Sequence, residues 1–324
     1  MDLPVPLEAA VIEAEVKPSK GGPYWFMVLR TKVGDIRSVM FACPEEPAKS
    51  PLYPHLGQIV SITNYVNEME ARGNIKVNEG GFTVMAQEDL KDDDFIKGPK
   101  AAPEDIKWAI DLITDKTDWD DTGHYKFTIA CLKEFGIDKI KECPAGTHVH
   151  HSYRGGMLVH SAEVLSYCKA MLATRHSNYD FLTKDVIMSA AILHDLGKLT
   201  TYFFDDLGVA QQMLTEQTVG HFIYGGNVLL AVAAKTKGLD SQFVDEVLHC
   251  VMAHHAKREW GSVVEPQTIE ADMLAKADYL SSRDGAMRDE LMKYKRFGKS
   301  LPDKFYVYKT PYVLTDGIRR FMKR

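Results

Sequence analysis

A histidine–aspartate pair, His194 and Asp195, interrupts the otherwise apolar helical run in "AILHDLGKLT". Three other polar residues break apolar helical faces in the same way. His160, His254 and Asp278 each lie at helical spacing from apolar residues three, four or seven positions away. The pattern predicts that all of these side chains point into the protein.

Buried imidazoles and carboxylates need partners. A buried carboxylate without one costs several kcal/mol, even after the protein relaxes around it. A single pair could form a structural hydrogen bond, and any one of these histidines alone could be a hydrogen-bonded core residue. Convergence on a cation better explains several helices that each contribute an inward histidine or aspartate. We therefore predict that these residues are metal ligands.

Helical spacing of apolar residues begins at Pro103 and continues through the rest of the candidate site. The predicted helices are "PEDIKWAIDLITD", "GHYKFTIACLKEF", "GMLVHSAEVLSYCKAMLATRH", "TKDVIMSAAILHD", "TEQTVGHFIYGGNVLLAVAAKTKG", "DSQFVDEVLHCVMAHHA" and "QTIEADMLAKADYLSSRDGAM". Several begin with Thr or Asp in a capping position. The sequence therefore predicts an all-α domain over residues 103–290.

Residues 1–88 have the signature of a β-domain. Five runs are rich in β-branched and aromatic residues and are separated by turn signals: "AAVIEAEVK", "YWFMVLRTK", "IRSVMFA", "GQIVSITNYV" and "FTVMA". Five short strands in fewer than a hundred residues are typical of a small closed barrel. The acidic stretch 89–102, with its Pro and Gly residues, is predicted to be a linker.

Composition favours a soluble protein of two domains. Apolar runs are too short to span a membrane and the amino terminus lacks the features of a secretory signal, so we expect a cytoplasmic location. Five widely spaced cysteines indicate neither a disulfide framework nor a thiolate zinc site. The net charge is −6, yet residues 291–324 carry ten Lys or Arg against two Asp. This basic carboxyl-terminal segment could bind a phosphate backbone or be a solvated surface.

The order His160, His194–Asp195, Asp278 resembles the HD superfamily of metal-dependent phosphohydrolases. The resemblance covers residues 148–285 and is carried by "HHSYRGGMLVHSAEV", "ILHDLGK", "VGH", "AHHAKREWG" and "EADMLAKADYL". With a barrel in front, the chain also resembles the YhaM-type 3′→5′ exoribonucleases, in which an OB-fold precedes the HD domain.

The resemblance implies two metal sites. The first would be held by His160, His194, Asp195 and Asp278, and the second by His221, His254 and His255, with Asp195 bridging. Because adjacent helical residues diverge by about 100°, we expect His255 to be a weaker candidate than His254.

The imidazole and carboxylate ligands, without thiolates, suit Mn²⁺, which we favour, or Fe²⁺, Co²⁺, Ni²⁺ or a catalytic Zn²⁺. Two such ions can polarise a phosphoryl oxygen, acidify a bridging water and stabilise the leaving oxygen. The predicted reaction is phosphoester hydrolysis, with Asp195 and Lys198 as catalytic residues.

Several residues are candidate substrate contacts. Lys198 could contact the substrate phosphate, or simply interact with the carboxyl-terminal end of its helix. Arg154, beside a helix start, and Lys257 are candidates of the same kind, although Lys257 also fits a solvated turn.

In the barrel, Tyr24, Trp25 and Phe26 could stack on bases of a single strand. Strand alternation allows only about half of the barrel aromatics to face outward, and the others belong to the core.

The sequence favours a 3′→5′ exoribonuclease acting on single-stranded RNA, with single-stranded DNA as a further candidate substrate. A phosphohydrolase of nucleotides or cyclic nucleotides is the alternative. A non-catalytic nucleic-acid-binding protein with an HD fold is the alternative from another class. Neither the oligomeric state nor the metal identity follows from the sequence.

Overall fold

The computed structural model describes residues 3–41, 43, 49–69, 74–90, 95–96, 98–147, 150–174, 182–296, 304–307 and 310–323. The chain divides into two compact units, one of residues 1–99, 205–209 and 290–324 and one of residues 100–204 and 210–289. Parts of the predicted linker (91–94 and 97) and of the basic carboxyl-terminal segment (297–303, 308–309 and 324) lie outside the described residues.

Seven strands form the sheet of the first unit. They are β1 (Leu7–Lys17), β2 (Tyr24–Thr31), β3 (Gly34–Met40), β4 (Ile59–Ile62), β5 (Tyr65–Glu68), β6 (Asn74–Val77) and β7 (Phe82–Met85). Their spatial order is β5-β6-β3-β2-β1-β4-β7. Every neighbouring pair is antiparallel except β3 and β6, which run parallel.

Strands β4 and β5 connect the two sides of the sheet. Only Thr63 and Asn64 separate these two strands, so Ile59–Glu68 is one bent segment. Its first half pairs with β1 and its second half with β6, which lie on opposite sides of the β1–β2–β3 meander. The seven strands form a curled sheet, an OB-like half-barrel with β5 and β7 at its edges, which confirms the predicted OB-like fold of this unit.

Alternation along β2 separates the barrel core from its outer face. Trp25, Met27 and Leu29 are buried, whereas Tyr24 and Phe26 are half-buried. The sequence did not predict β6, because "NIKV" is only four residues long and follows the turn signal "ARGN". Its pairing with β3 and β5, not its own pattern, makes it a strand.

Helices dominate the second unit. They are α1 (Pro103–Ile113), α2 (Thr122–Phe135), α3 (Ile137–Glu142), α4 (Gly156–Ala173), α5 (Lys184–Leu193), α6 (Lys198–Thr201), α7 (Leu214–Thr218), α8 (His221–Lys235), α9 (Ser241–Ala253) and α10 (Ile269–Arg296). Helix α5 is the most enclosed, since nine of its ten residues are buried. It packs against α2, α4 and α9, which explains why its sequence has apolar residues on all sides.

Three features differ from the predicted helices. A two-stranded hairpin, β8 (Tyr202–Phe204) with β9 (Ala210–Gln212), corrects the all-α expectation. The helix predicted over residues 215–238 is two helices, because Gly220 adopts a φ of 82° between α7 and α8. Helix α3 was not predicted.

The carboxyl-terminal segment contains regular structure. A hairpin of β10 (Lys304–Val307) with β11 (Thr310–Val313) is followed by α11 (Asp316–Lys323). Across the described ranges, no helix combines the length and the apolar character needed to span a bilayer.

Candidate metal centre

Five histidines and two aspartates converge in the helical unit. Helix α4 contributes His160 and α10 contributes Asp278, while α8 begins with His221. The other four follow helix ends directly: His194 and Asp195 come after α5, and His254 and His255 come after α9. The side chains form two groups, one of His160, His194 and Asp278 and one of Asp195, His221, His254 and His255. The structure therefore brings together all seven predicted ligands.

The first group is tightly packed. The Nε2 atoms of His160 and His194 are 3.2 Å apart. Oδ1 of Asp278 lies 3.2 Å from Nε2 of His160 and 4.0 Å from Nε2 of His194. Both imidazoles are almost completely buried.

Asp195 connects the two groups. Its Oδ2 lies 3.5 Å from Nε2 of His160 and 3.6 Å from Nε2 of His194. Its Oδ1 lies 3.5 Å from Nε2 of His221 and 3.4 Å from Nε2 of His254. Each oxygen therefore faces a different group, as the bridging role implied by the resemblance requires.

Hydrogen bonds at Nδ1 fix where the imidazole lone pairs point. Nδ1 of His194 donates to the carbonyl of Ala191 at 3.0 Å, and Nδ1 of His254 donates to Val251 at 2.7 Å. Because a carbonyl oxygen only accepts, both Nδ1 atoms carry protons. With the proton on Nδ1, the neutral form of each ring has its lone pair on Nε2, which faces the site.

His160 and His221 also donate from Nδ1, but to side chains and not to backbone carbonyls. The hydroxyl of Ser281 donates to Glu163 at 2.8 Å, so its oxygen accepts from Nδ1 of His160 at 3.0 Å. Nδ1 of His221 donates to Glu216 at 2.7 Å. Four Nε2 lone pairs therefore converge with two carboxylates.

Within the second group, one atom of each residue is buried without a hydrogen-bond partner. These atoms are Oδ1 of Asp195, Nε2 of His221, Nε2 of His254 and Nδ1 of His255. Acceptors that face only one another are costly in a protein interior. A divalent cation would satisfy them together, and nitrogen and oxygen donors without thiolates suit the transition metals named above. The residues present therefore fit metal binding.

Electrostatics keep these residues in the protonation states that bind metal. Burial lowers the pKa of His194 to about 3 and that of His255 to about 2, so both rings are neutral. Burial alone would raise the pKa of Asp195, but the adjacent Lys198 ammonium and the neighbouring imidazoles hold it well below its usual range. Neutral imidazole and ionised carboxylate are the forms that bind a cation.

Glycine allows the His194–Asp195 turn to approach α8. A Cβ atom on Gly197 would lie 1.9 Å from the carbonyl oxygen of His221 and 2.7 Å from the backbone nitrogen of Gly225. Any other residue would push the turn away from α8. Gly197 thus lets Asp195 and His221 share one site.

His254 and His255 both reach the second group because α9 ends before them. Helix α9 ends at Ala253, and Ala256 has a φ of 65°, so the chain turns sharply through the histidine pair. Both histidines belong to the second group, and the ranking of His255 below His254 stays a prediction. Nδ1 of His255 is buried without a hydrogen-bond partner.

Lys198 is buried behind Asp195. Its Nζ donates to Oδ2 of Asp195 at 2.7 Å and to the carbonyl of Ala145 at 2.8 Å. Burial alone would lower the pKa of Lys198, but Asp195 outweighs burial and raises it. Lys198 therefore orients the bridging carboxylate, and its predicted contact with a substrate phosphate stays a prediction.

The other predicted substrate contacts lie outside the two groups. The Arg154 guanidinium lies 5.3 Å from the Phe204 ring centre and 3.3 Å from the carboxylate of Glu142. The exposed Lys257 ammonium lies 4.7 Å from the ring centre of Trp260.

For one of the three barrel aromatics, Trp25, the predicted role in base stacking is wrong. Its side chain is buried and its Nε1 donates to the carbonyl of Pro54 at 2.8 Å. This ring is part of the core and cannot stack on a base. Tyr24 and Phe26 lie on the opposite face of β2 and remain candidates.

The sequence did not identify the residues that orient the ligands. Glu216, Ser281 and Glu163 hold the rings of His221 and His160. Glu216 lies five residues before its histidine and Glu163 three residues after. Either spacing is also ordinary for a solvated helix, so no sequence signal singled them out.

Comparisons with known proteins agree with this geometry. Residues 157–283 match the model of the HD domain. The chain is 27% identical over 289 residues to a Bacillus subtilis protein named 3'-5' exoribonuclease YhaM, covering 86% of this chain and 84% of the relative. A Bacillus pumilus protein of the same name is 26% identical over 87% of this chain and 85% of the relative.

A third relative of that name, from Halalkalibacterium halodurans, is 26% identical over 83% of this chain and 80% of its own. No solved structure matches the chain significantly. The matched residues 157–283 contain the HD motif at His194 and Asp195 and all seven candidate ligands. Residues 157–283, which follow the OB-like unit in the sequence, therefore match the HD domain, and over most of its length the chain resembles the proteins named 3'-5' exoribonuclease YhaM.

Proposed function

We propose that this protein is a metal-dependent phosphodiesterase that degrades single-stranded RNA from its 3′ end, with single-stranded DNA as a second substrate. One observation carries the proposal: five histidines and two aspartates converge, and four of their buried atoms, Oδ1 of Asp195, Nε2 of His221, Nε2 of His254 and Nδ1 of His255, have no hydrogen-bond partner. The names of the relatives support the substrate and the polarity.

We infer that two ions bind, and we favour Mn²⁺. When bound, such ions polarise the phosphoryl oxygen and stabilise the charge that develops on the leaving oxygen. The protein supplies the arrangement around them. Asp195 faces both groups, and Lys198 holds it in place through Oδ2. The pre-formed hydrogen bonds at Nδ1 keep the histidine rings in the orientation that binding needs.

The outer face of the barrel is the proposed strand-binding surface. Tyr24 and Phe41 have ring centres 5.9 Å apart. The Lys17 ammonium lies 3.8 Å from the ring centre of Phe26, and the Lys76 ammonium lies 5.4 Å from that of Phe41. Aromatic rings beside cations suit stacked bases and a phosphate backbone. Arg154 and Lys257 remain proposed phosphate contacts of the helical unit.

The decisive experiment is a degradation assay with the purified full-length protein. With Mn²⁺, single-stranded RNA labelled at its 5′ end should give a ladder of progressively shorter labelled products. The same RNA labelled at its 3′ end should release labelled mononucleotide at once, and EDTA should stop both reactions. Single-stranded DNA tested in parallel establishes the substrate range.

Two controls separate the alternatives. Circular single-stranded RNA has no end, so an exonuclease leaves it intact. Turnover of free or cyclic nucleotides without degradation of RNA would favour the nucleotide phosphohydrolase. RNA binding without any turnover in Mn²⁺ would favour the non-catalytic protein. Either of the last two results would overturn the proposal.

The barrel's part is tested by Tyr24→Ala and Phe26→Ala. Loss of one base-stacking ring should weaken RNA binding by about 1–3 kcal/mol. Hydrolysis of a small chromogenic phosphodiester should be unchanged, because it cannot extend across a stacking surface. Equal loss of both activities would mean that these rings serve the fold and not the substrate.

A further inference from the structure

The ring of His160 is held by a chain of two hydrogen bonds. Nδ1 of His160 lies 3.0 Å from Oγ of Ser281, which is completely buried. The Ser281 hydroxyl donates its only proton to Oε2 of Glu163 at 2.8 Å. Its oxygen must therefore accept from Nδ1 of His160, which leaves the lone pair of that ring on Nε2.

Two helices supply this chain with the same spacing. Glu163 lies three residues after His160 in α4, and Ser281 lies three residues after Asp278 in α10. Positions three apart share a helical face. Each helix therefore presents one metal ligand and, one turn later, one residue of the supporting chain.

Glu163 is itself fixed from two other directions. Its Oε2 lies 3.1 Å from Nε2 of His151, and its Oε1 lies 3.5 Å from the guanidinium of Arg288. Burial raises the pKa of Glu163, but His151, Ser281 and Arg288 outweigh it and lower the pKa to about 2. The carboxylate is thus ionised and can only accept the Ser281 proton.

His151 is anchored tightly against the two helices. It is 1% exposed and has a φ of 48°, a conformation that non-glycine residues rarely adopt. Glycines leave room for it: a Cβ atom on Gly156 would lie 2.0 Å from its carbonyl oxygen, and one on Gly285 would lie 2.6 Å from its ring. Glu163 is therefore held against a closely packed neighbour.

This support differs from that of the other ligands. His194 and His254 donate to backbone carbonyls, which substitution cannot remove. His221 donates to Glu216, which therefore supports a ligand of the second group. His160 thus depends on a removable pair of side chains that touches only the first group.

We propose that Ser281 and Glu163 are positioning residues that determine metal affinity at the first site by fixing the tautomer and ring orientation of His160. This inference rests on the proposed metal centre. Removing such a support lowers metal affinity by about 10- to 100-fold. The second site, with its own support from Glu216, keeps its affinity.

Equilibrium dialysis of the full-length protein against Mn²⁺ tests this in two backgrounds. In the His221→Ala background, which isolates the first site, Ser281→Ala should weaken Mn²⁺ binding by about 10- to 100-fold. In the His160→Ala background, the same substitution should change nothing, because the ring that it supports is gone. Glu163→Gln keeps the shape of the side chain and should weaken only the first site. Glu163→Gln also tests the proposed support of His160 if the Ser281→Ala protein does not fold.

Three results would count against these roles in different ways. Unchanged affinity in the His221→Ala background would overturn the inference alone. Equal weakening in both backgrounds would also overturn it, because a general loss of structure acts on both sites. Failure of the wild-type protein to bind Mn²⁺ would overturn the proposed function itself, which separates the two failures.

Discussion

The two ends of α5 bury two carboxylates in very different surroundings. Asp185 lies in the first turn of the helix, and Asp195 lies two residues beyond its last residue. Each is 2% exposed. By burial alone the two aspartates are indistinguishable.

Asp185 is fully paired by donors of the protein. Its Oδ1 accepts from the backbone nitrogen of Asp120 at 3.0 Å, and its Oδ2 accepts from that of Asp121 at 2.9 Å. The ring of His124 lies 2.9 Å from Oδ2 and stacks on Phe243. This carboxylate joins the start of α2 to α5 and needs nothing more.

Asp195 has one donor and several acceptors around it. Lys198 reaches its Oδ2, whereas its Oδ1 has no hydrogen-bond partner and faces the lone pairs of His221 and His254. The comparison shows that the partners of a buried carboxylate, not its burial, separate a structural residue from a metal ligand.

The largest expected effect is the loss of activity on substitution of Asp195. Asp195→Asn should lower kcat on RNA by about 10³-fold, because bound metal contributes several kcal/mol of transition-state stabilisation. Mn²⁺ content after dialysis should fall with activity, since this residue faces both groups. Circular dichroism should show an intact helical fold. Turnover retained with metal bound would contradict the bridging role.

Asp185 should give the opposite result. Asp185→Ala leaves two backbone N–H groups and His124 without their acceptor, so we expect the free energy of unfolding to fall by about 3 kcal/mol. Urea denaturation measures this loss. Mn²⁺ affinity of the folded protein should match wild type, and a parallel loss of metal would mean that the two ends of α5 are not independent.

Metal should stabilise only those variants that keep Asp195, at the carboxyl-terminal end of α5. A ligand present at about 100 times its dissociation constant stabilises the folded state by about 2.7 kcal/mol. Wild type and Asp185→Ala should both gain this stability when Mn²⁺ is added and lose it in EDTA. Asp195→Asn should gain little. Equal stabilisation of all three proteins would place the binding site elsewhere.

The sequence predicted the role of Asp195 at the end of α5 but gave no sign of the role of Asp185 at its start. A histidine and an aspartate at the carboxyl-terminal end of an apolar helix are unusual, so the sequence predicts a functional role for His194 and Asp195. Aspartate in a first helical turn is common, because it complements the helix dipole. Asp185 therefore looked ordinary, and only the structure shows that it is buried and paired.

Other features depended on contacts that no local pattern encodes. The supports Glu216 and Ser281 act on histidines that lie on other helices. Strand β6 exists because β3 and β5 pair with it. Periodicity finds elements and apolar faces, whereas partners across the fold come from tertiary packing.

The smallest expected effect is the loss of stability caused by a substitution in the hydrogen bonds near Asp185. Oγ1 of Thr128 donates to the carbonyl of His124 at 2.9 Å and lies 2.8 Å from Oγ of Ser189, and both hydroxyls are fully buried. Thr128→Val keeps the shape of the side chain but leaves the Ser189 hydroxyl without this partner. We expect the free energy of unfolding to fall by about 1 kcal/mol.

Thr114→Val is the matched control, because Thr114 makes a similar bond to the carbonyl of Ile110 on an exposed helix end. Water can replace that bond, so the control should lose less stability than Thr128→Val. Mn²⁺ binding should be unchanged in both variants. If Thr128→Val instead lowered Mn²⁺ affinity, the hydrogen bonds around Asp185 would have to be coupled to the metal centre along α5, and the separation between its two ends would fail.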